Sequence, residues 1–168
     1  MTEKKEQQGE QEEQDAKYYQ KLISRTDELM ASGRKTLDEA VKKAREEVSS
    51  AGNYSREQGD KIAAYVKRDL QHAVDYTSKA GKNIRHAVDP KRLAAGTHSL
   101  VARILTSTAD TLGQWAQKSE QQLEFKTGEM TGPGTLSCKN CQEELLLTRT
   151  SRIPPCPKCH QTLFRKSY

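Results

Sequence analysis

Two cysteine pairs near the C-terminus constrain this chain more than any other feature of its sequence. Cys138 and Cys141 are separated by two residues, as are Cys156 and Cys159, and fourteen residues lie between the pairs. This C-x2-C…C-x2-C arrangement has the spacing of a four-thiolate zinc site. Zinc prefers four tetrahedral ligands, and a two-residue gap lets both sulfurs of a pair converge on one ion while nearby backbone amides donate to them. Each pair is one knuckle, and the connection is long enough for a β-hairpin that brings the second knuckle opposite the first. One structural Zn2+ per chain is the expected cofactor, because four protein ligands leave no position for water or substrate. The thiolate centre is net negative, and Lys139, Lys158, Arg165 and Lys166 lie nearby in sequence to offset it.

Two rival readings of the second pair fail on context. Cys156-Pro157-Lys158-Cys159-His160 satisfies the C-x-x-C-H haem pattern, but that attachment is made outside the cytosol and no export signal precedes it. A C-P-x-C redox dithiol normally opens a helix after a strand, whereas here Pro155 precedes the pair and a matching pair lies upstream. His160 adjoins Cys159 and is read as an exposed residue beside the centre rather than a ligand.

The remainder of the chain is poor in core-forming residues. Leu, Ile, Val and Phe together number 27 of 168, below the roughly one-fifth of globular chains, so a wide core is excluded. The apolar residues are nonetheless periodic, which favours long, narrow helix packing. Residues 1–14 have no apolar side chain after Met1 and are expected to form a disordered acidic tail. From Asp15 onward Tyr19, Leu22, Ile23, Thr26, Leu29 and Met30 share one helical face, and Leu37, Ala40, Val41, Ala44 and Val48 continue it beyond Ser32-Gly33. Gly33 is either a short break or a weak point in one helix. Ser55 and Gln58 form a capping-box pattern opening a helix that carries Ile62, Val66, Leu70, Ala73 and Val74 and weakens around Gly81. Asp89-Pro90 restarts a helix, with Leu93, Leu100, Ile104, Thr111, Leu112, Trp115 and Leu123 along a heptad-like stripe.

Gly128, Gly132, Pro133 and Gly134 end the helical pattern, placing a boundary between a charged helical region, 15–128, and a zinc ribbon, 129–168. In the ribbon, Leu145 to Thr148 and Thr162-Leu163-Phe164 are strand candidates and Ile153-Pro154-Pro155 is extended. The expected fold is mainly α: long amphipathic helices in a helical hairpin or coiled-coil-like bundle, with a small C-terminal β zinc ribbon. Because the Gly/Pro segment isolates the two parts, the helices are expected to survive loss of the ribbon or of its zinc.

With these residues in place, the chain resembles a family of uncharacterised bacterial zinc-ribbon proteins of the YbeL type. The resemblance rests on Tyr18-Tyr19-Gln20-Lys21-Leu22, Arg68-Asp69-Leu70, Gly128-Glu129, Gly132, Gly134, Leu136, Cys138 and Cys141, and Cys156-Pro157-Lys158-Cys159. It implies a helical N-terminal region, a zinc-ribbon C-terminus and the four cysteines as metal ligands, and brings no activity with it. Gln142 and His160 stand where Gly commonly follows each pair; this bears on the knuckle turn, since Gly tolerates φ > 0 more easily.

Several side chains carry weaker signals. Basic residues outnumber acids six to three in the ribbon, so Lys139, Lys158, Phe164, Arg165 and Lys166, with Tyr168, are candidates for single-stranded nucleic-acid binding by phosphate contact and stacking. Charge compensation around the thiolates is the simpler account. Tyr18, Tyr19 and Trp115 read as packing residues, Arg68-Asp69 as a salt bridge turned outward, and His72, His86 and His98 as polar surface, although Asp69 and His72 have a spacing that a metal would accept. No phosphate loop, nucleophile elbow or paired carboxylate is present, so nothing points to an enzyme. No apolar run approaches the roughly 18 residues of a membrane span, and free thiols suit a reducing compartment, making cytoplasm the default. The expected function is a non-enzymatic adaptor or regulator using its helices for homo-oligomer formation or a protein partner. A nucleic-acid-associated factor acting through the ribbon is the alternative, and a thiol redox sensor comes third.

Overall fold

The computed structural model describes residues 2–33, 36–50, 54–79 and 124–167. Helix α1 spans Thr2–Ala31, α2 Leu37–Ser50 and α3 Arg56–Lys79. Local chemistry sets their ends. Gly33 adopts φ +90°, a left-handed conformation that ends α1 and decides the ambiguity at Ser32-Gly33 in favour of a break. Thr36 opens α2 by accepting the Glu39 amide at 3.2 Å, with Asp38 and Glu39 in the first turn. Ser55 caps α3 by accepting the Gln58 amide at 3.2 Å. The Gln58 side chain bonds the Ser55 hydroxyl, a variation on the expected reach back to the backbone.

The three helices bury one shared core. Tyr18, Tyr19, Leu22, Ile23 and Leu29 of α1 meet Leu37, Ala40, Val41 and Ala44 of α2 and Ile62, Ala63, Val66 and Leu70 of α3; all but Tyr18 and Ala63 are positions that the sequence periodicity places on the helix faces. Thr26, also on that stripe, is buried and returns its hydroxyl to the Leu22 carbonyl at 2.7 Å. Salt bridges Arg45–Asp60 and Lys67–Asp38, 2.8 and 2.7 Å, cross between helices at the rim, where each contributes at most about 1 kcal/mol. No helix among the described residues is long and apolar enough to cross a membrane. The restart at Asp89-Pro90, the heptad-like stripe Leu93–Leu123 with Trp115, and Gly81, His86, His98, Tyr168 and the Val74 side chain lie outside the described residues.

The acidic segment expected to be a tail is instead the first half of α1. Near its end Glu13 pairs with Lys17 at i,i+4, Gln11 donates to Asp15, and Asp15, the next residue of α1, is buried against Arg152, 137 positions along the chain. Glu12 accepts the Arg152 backbone amide at 3.1 Å. The segment is helical and mostly exposed, and it meets the ribbon at its C-terminal end, through Glu12 and the adjoining Asp15.

The β region comprises β1 Phe125–Lys126, β2 Met130–Thr131, β3 Gly134–Cys138, β4 Glu144–Leu147, β5 Ser151–Arg152 and β6 Leu163–Ser167. Four strands form an antiparallel sheet in the order β1-β6-β3-β4, and β2 pairs separately with β5. The connection between the cysteine pairs does not close on itself as the expected hairpin. Its β4 folds back on β3, while its β5 crosses to β2. The sheet also begins ahead of residue 129, because Phe125 pairs with Phe164.

The ribbon is not isolated from the helices. Met130 of β2 is fully buried in the helical core, and β2 lies against both α1 and α3. The glycine-rich segment that reads as a linker is thus part of an interface. The expectation that the helices are indifferent to the ribbon gives way accordingly.

Candidate metal centre

Cys138 closes β3 and Cys141 follows in a tight turn; Cys156 and Cys159 occupy a matching turn after β5. The two turns repeat one hydrogen-bond scheme. Gln142 donates its amide to the Cys138 carbonyl at 3.0 Å and the Cys138 amide bonds Glu143; His160 donates to Cys156 at 2.9 Å and the Cys156 amide bonds Gln161. To close these turns Gln142 and His160 take φ of 61° and 57°, the left-handed region. The side chains at these two positions are therefore strained, at a cost of about 1–2 kcal/mol each. Gln142→Gly and His160→Gly should each raise the stability of the zinc-loaded protein by about 1 kcal/mol, after allowing for the extra chain entropy of glycine. Urea unfolding of the two variants measures this, and a loss of stability in both would contradict the strain account.

The turns bring all four sulfurs within 4.8 Å of one another, with Cys138 and Cys159 Sγ 3.5 Å apart and Cys141 and Cys156 3.6 Å. Tetrahedral zinc with bonds of about 2.3 Å sets sulfurs roughly 3.8 Å apart, so the cluster fits one ion. Donor chemistry agrees. Backbone amides of Cys159 and Lys158 draw the Cys156 thiol below its ordinary value, and the Gln161 amide does the same for Cys159, in each case against burial. At Cys141 the Glu143 amide also favours the thiolate, but burial and the three neighbouring sulfurs outweigh it and push the thiol up to about 12. Four thiolates coexist here only with a cation between them. The four cysteines accordingly fit one structural zinc ion, which supplies the ribbon with folding free energy and leaves no open coordination position.

Around the centre, Phe125, Leu136, Ile153 and Phe164 pack with Cys138 and Cys156 into a small core, flanked by Leu145 and Leu147. Phe164 is opposite Cys138 in the β3–β6 register, so this strand is tied to the first knuckle. Two residues on, the same strand sends Lys166 into the helices.

Lys166 completes a buried ionic junction that sequence reasoning missed. Asp69 of α3 accepts hydrogen bonds from the Tyr19 hydroxyl of α1 and the Thr131 hydroxyl of β2, both 2.6 Å, and from the Gly132 amide at 3.0 Å. Arg68 reaches the other carboxylate oxygen at 3.0 Å, the Met130 carbonyl at 3.1 Å and Glu129, and stacks over the Phe125 ring at 4.2 Å. The Lys166 ammonium lies 3.6 Å from Asp69 and donates to Thr131 Oγ1 and the Gly132 carbonyl, both at 2.8 Å. Exposure is 8 % for Arg68 and 5 % for Asp69 and Lys166, so these charges are stable only as a set. Burial opposes ionisation of Asp69, but the Lys166 and Arg68 charges and the Thr131 and Tyr19 hydrogen bonds prevail and hold its carboxyl below the usual range. Gly134 lets the chain pass: at φ +150° an added Cβ would lie 2.7 Å from Lys166 Cε.

Several expected roles change as a result. Arg68-Asp69 points into this junction rather than outward, and His72 is half-buried, meeting Phe125 edge-on at 5.3 Å, rather than ordinary polar surface. Phe164 at 0 % exposure offers no face for a base to stack on, and Lys166 is spent on Asp69 and β2. Lys139 pairs with Glu124 and Lys158 with Glu143 at 3.6 Å; Arg165 is exposed on the sheet's open face. Of the five nucleic-acid candidates, Phe164 and Lys166 are therefore buried, and Lys139, Lys158 and Arg165 are exposed. Among the described residues, the four cysteines are the one group positioned to hold a metal. A signal for the junction was present in the sequence: Tyr19, Arg68, Asp69, Glu129, Gly132 and Gly134, all quoted for the family resemblance, gather around it.

Comparison with known proteins agrees with this architecture. The family model described as a zinc-ribbon containing domain matches residues 24–167. The Escherichia coli K12 protein titled "Uncharacterized protein YbeL" is 25% identical over 154 residues, covering 90% of this chain and 94% of the relative. Its counterparts in the O6:H1 and O157:H7 strains give the same figures. No solved structure gives a significant match. The family match takes in the end of α1, α2, α3, the thiolate centre and every junction residue but Tyr19, and the chain belongs to the zinc-ribbon containing domain family.

Proposed function

We propose that this chain is a non-enzymatic interaction protein of the adaptor or regulator class, in which zinc stiffens a helical scaffold that binds a protein partner. The observation that carries the reading is the direction of the ribbon's functional side chains. Lys166 turns into the helices and Phe164 into the ribbon's own core, and the four thiolates close on one another. Among the described residues, the exposed side chains of the helices are mainly charged or polar, which suits recognition of a partner. The cytoplasm is the proposed location, since a reducing compartment keeps thiols available as zinc ligands.

Affinity capture from the native host tests the reading, using the zinc-loaded chain beside a Cys156→Ser/Cys159→Ser chain. A protein partner retained after nuclease treatment, and lost with the cysteines, is the expected result. Recovery of nucleic acid alone would sink the proposal. In the same vein, titration of labelled single-stranded RNA and DNA should show only weak binding, unaffected by base-stacking. Phosphate binding would instead show log affinity falling with log salt by about 0.7 per phosphate engaged.

A further inference from the structure

We infer that a hydroperoxide oxidises the four cysteines in pairs across the two knuckles, releasing zinc and leaving disulfides in its place as the cross-link. The inference goes beyond the interaction-protein reading and does not depend on it.

Burial divides the four thiolates evenly. Cys138 and Cys156 are at 0 % exposure, whereas Cys141 and Cys159, one in each knuckle, are half-buried and keep part of their surface in solvent. Sulfur contacts run across the knuckles: Cys159 Sγ lies 3.5 Å from that of Cys138, and Cys141 Sγ 3.6 Å from that of Cys156. Each accessible thiolate therefore has a sheltered one beside it on the opposite turn. An oxidant reaches the first, and the second is in place to resolve the product. Closing these contacts to a bond of about 2.05 Å asks less than about 1 Å of movement from each sulfur.

One hydroperoxide balances each disulfide. The Cys159 thiolate attacks an oxygen of hydrogen peroxide, the O–O bond breaks, and the products are a sulfenic acid and hydroxide. The Cys138 thiolate then displaces a second hydroxide from the sulfenic sulfur, so an S–S bond replaces the S–O bond. Two electrons have passed from the sulfur pair to the peroxide. The two thiolates that remain no longer fill a tetrahedral site, and zinc is lost to solvent. Cys141 and Cys156 close by the same steps with a second peroxide.

Pairing decides what happens to the fold. Disulfides within each C-x2-C pair would leave the knuckles unconnected, and the ribbon would come apart as on zinc loss. A Cys138–Cys159 bond instead ties the end of β3 to the segment leading into β6. Those are the strands whose register sets Phe164 against Cys138 and carries Lys166 to Asp69. The two cross-links also restrict the unfolded chain. Oxidation therefore differs from chelation: the metal goes, and the ribbon stays on the helices.

Titrating the zinc-loaded full chain with hydrogen peroxide tests this, with released zinc read by a colorimetric chelator and pairing by peptide mass spectrometry. Trypsin cuts after Lys139 and Lys158, between the members of each pair, so the four cysteines fall on separate peptides. The expected result is loss of zinc with formation of Cys138–Cys159 and Cys141–Cys156, reversed by a dithiol and added zinc. Hydrogen exchange in α1 around Tyr19 and α3 around Asp69 should stay within ~3-fold of the zinc-loaded chain. Cys159→His, which keeps four ligands for the ion, should form Cys141–Cys156 alone. Bonds within the C-x2-C pairs or between chains overturn the inference. So does zinc that stays bound through a large excess of peroxide, or helix exchange that rises as far as it does on chelation.

Discussion

Asp69→Ala should cost about 3–5 kcal/mol, because it leaves Lys166 and Arg68 buried without the carboxylate that both face. Against a typical domain stability of about 5–15 kcal/mol, this brings the protein close to unfolding at ambient temperature. Asp69→Asn should cost less, since an amide oxygen can still accept from Tyr19 or Thr131. Lys166→Met should also be milder, because Arg68 and three hydrogen-bond donors continue to hold the carboxylate. Urea unfolding of the zinc-loaded variants, followed by far-UV circular dichroism, measures these differences. An Asp69→Ala change within about 1 kcal/mol of wild type would mean that water reaches the junction and that it does not hold ribbon to helices. The same group sets a pH dependence. Asp69 has a folded pKa held below its unfolded value of about 4, so the unfolded chain binds the proton more readily. Its contribution is complete above that pH and is lost as pH falls through the lower, folded value. Asp69→Asn should remove this component of acid destabilisation.

Zinc removal should have the largest effect of all, and it should be felt in the helices. Structural zinc sites are worth about 10–16 kcal/mol of apparent binding free energy near neutral pH, far more than the ribbon's small apolar core supplies. Chelation should therefore unfold β1 to β6. Phe164 is registered against Cys138, and Lys166 follows it on the same strand. Loss of the knuckle frees Lys166 from Asp69, and Met130 leaves the helical core with β2. Hydrogen exchange should then rise by more than ~10-fold in α1 around Tyr19 and in α3 around Asp69, the two helices against which β2 lies, and change least in α2. Cys138→Ser should reproduce the pattern without a chelator. Helices whose exchange is unchanged on complete zinc loss would show that the two parts fold independently.

The features legible in the sequence are those whose determinants lie close together along the chain. Zinc ligation is set by two residues between thiols, helix faces by a period of three to four, and the start of α3 by Ser55 with Gln58. Each was open to reading because its physics is completed within one turn or one knuckle. Even the left-handed conformation at Gln142 and His160 is foreshadowed by the absence of the expected glycines. The junction could not be read in the same way. Arg68-Asp69 in isolation is an exposed ion pair on a polar helix, and Lys166 is one more basic residue in a basic ribbon. Only tertiary structure sets Thr131 and Gly132, 62 and 63 positions away, against Asp69, and Arg152, 137 positions away, against Asp15. The acidic start of α1 likewise reads as a tail until Glu12 meets the Arg152 amide. Composition reports how many charges a chain carries, but the cost of burying one depends on which opposite charges and hydrogen-bond donors the fold gathers around it. The sequence thus determined the metal centre and the helical periodicity, while the tertiary structure alone decided which charges are buried and that helices and ribbon are joined through them.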